Sequence, residues 1–130
     1  MFDWKKPTVQ MLGRWQPWHD GHTELFKRAL KKNGQVCIMY RDVEGVDAGV
    51  EGQADNPFGF EEVKKNIIVE LSKHNFEEGR DYVVIKVPNI INISYGRGVG
   101  YSFTEHDLGK EIHAISATNI RKELRLKKEL

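Results

Sequence analysis

The chain has 130 residues, of which 30% are charged and 39% hydrophobic, and its formal net charge is +1. This length suits one domain with its own core, and the small net charge gives no reason to expect a nucleic acid or a membrane as partner. No apolar run approaches the roughly 20 residues of a membrane-spanning helix, and Cys37 as the single cysteine excludes an internal disulfide. We therefore expect one domain over residues 1–130, located in the cytoplasm.

The first three predicted elements are a strand, a helix and a strand. Residues 8–12 form a short apolar run that predicts a buried strand. The apolar residues within 23–30 recur at helical spacing and predict an amphipathic helix. Asn33 and Gly34 are typical of a helix end, and the apolar run 36–40 predicts the second strand.

A glycine-rich and acidic stretch over 41–59 follows, and apolar residues at helical spacing then predict a second helix over 60–74. Three further strands are predicted, at 82–87, 90–94 and 111–115. A basic helix is expected from Asn119. The alternation of strands and helices indicates a single Rossmann-like α/β domain, with a parallel sheet of about five strands flanked by helices.

The stretch from Gly13 to His22, G-R-W-Q-P-W-H-D-G-H, lies where the first strand turns into the first helix. Such junctions bind phosphate because the first N–H groups of a helix are unpaired and point outward. His19 and His22 can direct imidazole N–H groups at the same phosphate. Gly21 between them removes a Cβ where backbone and phosphate must approach closely, and Arg14 is a further candidate phosphate ligand.

These residues resemble a known enzyme family. The segment 19–22, H-D-G-H, matches the signature of the HxGH nucleotidyltransferase superfamily, the cytidylyltransferase-like group. The longer segment 13–19 looks most like the form found in archaeal-type nicotinamide-mononucleotide adenylyltransferases, with tryptophan replacing phenylalanine twice. A second signature of the superfamily, I-S-x-T-x-I-R, matches 115–121, and Asn56-Pro57-Phe58 also resembles a segment of those adenylyltransferases.

The resemblance implies transfer of AMP or CMP from ATP or CTP to a phosphorylated small molecule, by direct in-line displacement of pyrophosphate. Catalysis of this kind is mainly positioning and neutralisation of charge. The resemblance makes His19, His22 and Arg121 catalytic. The implied nucleotide- and phosphate-binding residues are Gly13, Arg14, Trp15, Gly21, Gly96, Arg97, Ser116 and Thr118. The implied cofactor is Mg²⁺, bound mainly through the triphosphate rather than by protein ligands.

Several of these residues and segments have an alternative interpretation. The histidine pair has the spacing of a zinc pair, but no further ligands stand at matching spacing, so phosphate binding is favoured. Trp15 and Trp18 are favoured as packing residues. The stretch 96–100 is either a turn that needs positive φ or a loop that contacts the nucleobase through its backbone. The form of the motif over 13–19 favours ATP as the nucleotide, whereas the short chain favours CTP. The sequence therefore does not determine which base the protein binds.

Two other functions stay open at this point. One is a non-catalytic module that binds nucleotide. The other is sulfurylase-like adenylyl transfer to sulfate, because the loop after Gly96 loosely resembles a G-R-D segment of those enzymes, with Gly98 in place of the acid. On position alone, Arg41 and the acidic loop after it are expected to close over the acceptor. A homodimer is the default assembly that the resemblance suggests.

Overall fold

The structure, a computed structural model, describes residues 1–43, 57–97 and 102–106. The elements in chain order are β1 (Val9–Gly13), α1 (Asp20–Asn33), β2 (Val36–Arg41), α2 (Phe60–Ser72) and β3 (Tyr82–Val87). The three strands form one sheet in the order β1-β2-β3, and both pairs of strands are parallel. A parallel sheet flanked by helices is therefore confirmed. The predicted strand over 111–115 and the helix from Asn119 lie outside the described residues.

Both helices pack over the same face of the sheet. Alternate side chains of a strand point to opposite faces, and three alternate side chains of β2 have no exposed surface: Val36, Ile38 and Tyr40. The ring of Phe26 in α1 lies 5.6 Å from that of Tyr82 in β3. The ring of Phe60 in α2 lies 5.6 Å from that of Tyr40. The core of the described residues is therefore the layer between these helices and this face.

The first helix is longer than its apolar pattern predicts. It begins at Asp20, because His19 caps its first turn, whereas the apolar periodicity begins only after His22. It ends as predicted at Asn33. Gly34 follows with a φ of 80°, and its N–H donates to the carbonyl of Leu30 at 2.8 Å. No helix within the described ranges is long and apolar enough to span a membrane.

The third strand has the predicted bounds, but the predicted fourth strand over 90–94 is wrong. The N–H of Ile90 donates to the carbonyl of Pro88 at 2.7 Å, which forms a tight turn directly after β3. The side chains of Ile91 and Ile93 are 84% and 53% exposed. The apolar composition of this segment predicted a strand, but in the described part of the chain it pairs with no neighbouring strand.

Candidate functional site

The carboxyl ends of the three strands lie along one edge of the sheet. Gly13 in β1 is in register with Tyr40 in β2, and Arg41 is in register with Val87 in β3. Ligands of open parallel sheets bind outside this edge. The loop between β1 and α1, residues 14–19, leaves from the same edge and carries the histidine motif.

Gln16 fixes this loop to the residues that precede α2. Its Nε2 donates to the carbonyl of Phe58 at 2.8 Å, and the N–H of Phe58 donates back to Gln16 Oε1 at 2.9 Å. The side chain is 1% exposed. Residues 42 positions apart in the chain are thus joined by two hydrogen bonds, and the position of the loop depends on the start of α2.

Trp15 and Trp18 are buried side chains of the loop, with 6% and 3% exposure. Trp15 Nε1 donates to the carbonyl of Met39 at 3.0 Å, and Trp18 Nε1 donates to Thr23 Oγ1 at 2.8 Å. A Cβ added at Gly13 would lie 2.8 Å from the indole of Trp15. These contacts show both tryptophans as packing residues and give Gly13 a steric role. Binding of nucleotide or phosphate by Gly13 and Trp15 stays a prediction.

His19 and His22 form a reciprocal cap at the start of α1. The N–H of Gly21 donates to His19 Nδ1 at 3.1 Å, and the N–H of His19 donates to His22 Nδ1 at 3.1 Å. The imidazole rings stack with centroids 3.7 Å apart and planes inclined by 17°. Because each Nδ1 accepts a hydrogen bond, each neutral ring carries its proton on Nε2.

The two Nε2–H groups are the donors that this cap leaves for a ligand, since no oxygen or nitrogen of the described residues accepts from either one. Burial, together with a smaller contribution from the neighbouring His19, lowers the pKa of His22 to about 3. Burial also lowers the pKa of His19, although Asp20 opposes that shift. Both rings are therefore neutral near pH 7. They can donate hydrogen bonds to a phosphate without becoming cations.

The structure brings five predicted residues together in and beside one loop: Gly13, Trp15, His19, Gly21 and His22. Arg14 belongs to the same loop and is half-buried. Gly96 and Arg97 lie in the exposed segment after β3, and a Cβ at Gly96 would meet no atom within 4 Å. Ser116, Thr118 and Arg121 lie outside the described residues.

An open cleft of about 370 Å³ lies between the loop and α2. Its lining residues are Trp15, Pro17, Trp18, Phe58, Glu62, Val63 and Asn66. The ring of His22 packs against the same tryptophans, at centroid distances of 4.8 Å from Trp15 and 5.3 Å from Trp18. Sequence reasoning did not find this cleft, because only the fold brings α2 to the loop.

Metal ligands are not clustered in the described ranges. Within residues 1–43, 57–97 and 102–106, no group of three or more His, Cys, Asp or Glu side chains is placed to hold a metal ion. His19 and His22 use both Nδ1 atoms in the cap. The chemistry of this part of the site is that of hydrogen-bond donors, which suits an anion.

Comparison with known proteins gives one partial match. The chain is 32% identical over 81 residues to the nicotinamide-nucleotide adenylyltransferase of Methanococcus aeolicus. The aligned part is 62% of this chain and 41% of that protein, so the chain spans about two fifths of the length of this relative. No family model matches the chain, and no solved structure gives a significant match.

Proposed function

We propose that this protein is a nucleotidyltransferase, which moves AMP or CMP from a nucleoside triphosphate to a phosphorylated small molecule and releases pyrophosphate. The observation that carries the proposal is the pair of neutral imidazoles at the start of α1, with both Nδ1 atoms in the cap and both Nε2–H groups left as donors. The partial similarity to an adenylyltransferase supports nucleotidyl transfer in general.

The reaction needs positioning more than covalent chemistry. A phosphate oxygen of the acceptor attacks the α-phosphorus in line, and the bond from that phosphorus to the pyrophosphate oxygen breaks with its electron pair on the leaving group. Negative charge shifts among the non-bridging oxygens as this happens. The Nε2–H groups of His19 and His22 donate to these oxygens, and the N-terminus of α1 adds the positive end of its dipole.

The remaining site residues hold the triphosphate in this proposal. Arg14 directly follows β1, in the same loop as His19, and its guanidinium is one proposed ligand of the triphosphate. The guanidinium of Arg121 is the second, and each can donate two parallel hydrogen bonds to a phosphate. The other proposed contacts are Gly13, Trp15, Gly21, Gly96, Arg97, Ser116 and Thr118. Mg²⁺, if bound, would be held mainly by the phosphate oxygens and would neutralise part of their charge.

ATP with nicotinamide mononucleotide is the first substrate pair to test. The Methanococcus aeolicus relative is named for that acceptor. The cleft between the loop and α2 has aromatic walls and two polar residues, Glu62 and Asn66, which suits a flat ring with a polar substituent. CTP with a phosphorylated alcohol is the second pair, because the base stays open.

Release of pyrophosphate tests the proposal directly. Each of ATP, CTP, GTP and UTP is incubated with nicotinamide mononucleotide and with a panel of phosphorylated alcohols. We expect one pair to turn over, and we expect the double variant His19→Asn, His22→Asn to lose nearly all of that rate. His74→Asn is the matched control, since His74 is exposed beyond the end of α2 and should keep full activity.

Three outcomes would contradict the proposal. Turnover no faster than that of the double variant with every pair would remove the enzymatic claim. Tight binding of a nucleotide without turnover would favour a non-catalytic nucleotide-binding module. Release of pyrophosphate from ATP only in the presence of molybdate would favour sulfurylase-like transfer to sulfate.

A further inference from the structure

Arg41 lies at the same edge of the sheet as the histidine loop. It is the last residue of β2, and its neighbour Tyr40 is in register with Gly13 at the end of β1. Adjacent strands lie about 4.8 Å apart. The Cα of Arg41 therefore lies about one strand spacing from the end of β1, where the loop that carries His19 and His22 begins, and its side chain extends to the carbonyl of Ile90 after β3.

The side chain of Arg41 has a donor without an acceptor. Its Nη1 donates to the carbonyl of Ile90 at 3.5 Å, a long bond that orients one end of the guanidinium. Its Nε is buried and has no hydrogen-bond partner among the described residues. Native proteins pair nearly all such buried donors, so this one calls for an acceptor beyond the described residues.

The described residues around Arg41 do not supply that acceptor. No carboxylate of the described residues forms an ion pair with Arg41, and the carboxylate of Asp42 lies 3.6 Å from Lys86 Nζ instead. In the described part of the chain, the other buried side-chain atom without a partner is Tyr82 Oη. Tyr82 begins β3 at the opposite edge of the sheet, so it belongs to a different region.

We propose that Arg41 binds an oxyanion group of the acceptor substrate, a phosphate or a group of like shape such as sulfate. Nε and Nη2 form a fork that matches two oxygens of such a group, while Ile90 occupies the Nη1 end. Because Nε has no exposed surface, binding of the anion requires the groups that cover Nε to move. This inference rests on the proposed function, in which the start of α1 and Arg14 hold the triphosphate and the adjacent strand is left for the acceptor.

The first test measures the Nε–H group itself, without any reaction. Arginine Nε–H signals of ¹⁵N-labelled protein are recorded by NMR while inorganic phosphate is added, and Arg41→Lys identifies the Arg41 signal by its loss. We expect that signal to shift and saturate. Arg80 is the matched control, because its Nε already donates to Asp81 at 3.1 Å in an exposed position near the other edge of the sheet. An Arg41 signal that does not move would overturn the inference.

The second test uses the substrate pair that the pyrophosphate assay identifies. Arg41→Lys keeps the charge and removes the fork, so we expect the KM for the acceptor to rise by about tenfold or more while the KM for the nucleotide changes little. Arg80→Lys should leave both unchanged, and thermal melting checks that both variants fold. A rise in the nucleotide KM alone would overturn the assignment to the acceptor. Absence of turnover in the wild type contradicts the proposed function instead, and the NMR test of Arg41 still stands.

Discussion

The two histidines combine a structural and a chemical role in the same ring. Nδ1 of each ring accepts a backbone N–H at the start of α1, while Nε2–H is the donor proposed to contact phosphate. The sequence could predict that His19 and His22 lie at a helix start. It could not predict which nitrogen faces the backbone, because that depends on the conformation of residues 14–19.

Substitutions at His19 should separate these two roles. The Oδ1 of His19→Asn can replace Nδ1 as the capping acceptor, so we expect the free energy of unfolding to stay within about 0.5 kcal/mol of wild type. The lost Nε2–H should weaken nucleotide binding by about tenfold. His19→Gln places its polar atoms nearer the Nε2 position and loses the cap, at a cost of about 1 kcal/mol.

Urea unfolding and nucleotide titration measure both quantities for the two variants. Binding of nucleotide by His19→Asn with the wild-type affinity would contradict the role of Nε2–H. Equal stability of His19→Gln and wild type would contradict the role of Nδ1.

Strands and helices with a continuous apolar pattern were predicted well, whereas the contacts of the segments that connect them were not. The bounds of β3 agree residue for residue, because an apolar run closed by Pro88 marks a buried strand. The prediction of a fourth strand was wrong because the segment after Pro88 has the apolar composition of a strand, although its apolar residues are exposed. The pairing of Gln16 with Phe58 spans 42 positions, and no local pattern encodes it.

Gln16→Glu tests the bond between the loop and α2 with little change in shape. The new carboxylate cannot donate to the carbonyl of Phe58, so two buried acceptors face each other, and we expect a loss of about 1–3 kcal/mol in the free energy of unfolding. Gln10→Glu is the matched control, because Gln10 is exposed on β1 and should change stability by less than about 0.5 kcal/mol. Urea denaturation compares the two, and an equal loss in both variants would contradict the role of Gln16.

At the scale of the whole molecule, the order of elements predicted the parallel sheet and the edge at which the histidine loop lies. The rule that ligands bind beyond the carboxyl ends of the strands placed the histidine loop correctly relative to β1 and β2. The cleft and the orientation of Arg41 could not be predicted, because both depend on how separate elements pack together. The second signature segment, 115–121, lies outside the described residues, so its place in the site stays a prediction.

The buried histidines should make the stability of the whole protein depend on pH. The pKa of His22 is about 3 in the folded protein and about 6.5 in the unfolded chain, and that of His19 is also lowered. Between those values the unfolded state binds more protons. The contribution to stability is therefore complete above about pH 6.5 and is lost as the pH falls, with a slope of up to about 1.4 kcal/mol per pH unit for each ring.

Urea unfolding at several values between about pH 6.5 and pH 5 measures this slope, in a range where most carboxylates stay ionised. We expect His22→Asn to have a smaller slope than wild type. Equal slopes for wild type and His22→Asn would show that the imidazole of His22 is not held neutral by burial.

In the proposed function, the two hydrogen bonds between Gln16 and Phe58 would couple the binding of nucleotide to the binding of acceptor. Because the bonds join the histidine loop to the residues that lead into α2, a nucleotide that favours one position of the loop also favours one position of those residues. Free-energy coupling between two sites is reciprocal. If an acceptor contacts the start of α2 and favours the same position of those residues, it would raise the affinity for nucleotide. Nucleotide would then raise the affinity for that acceptor by the same factor.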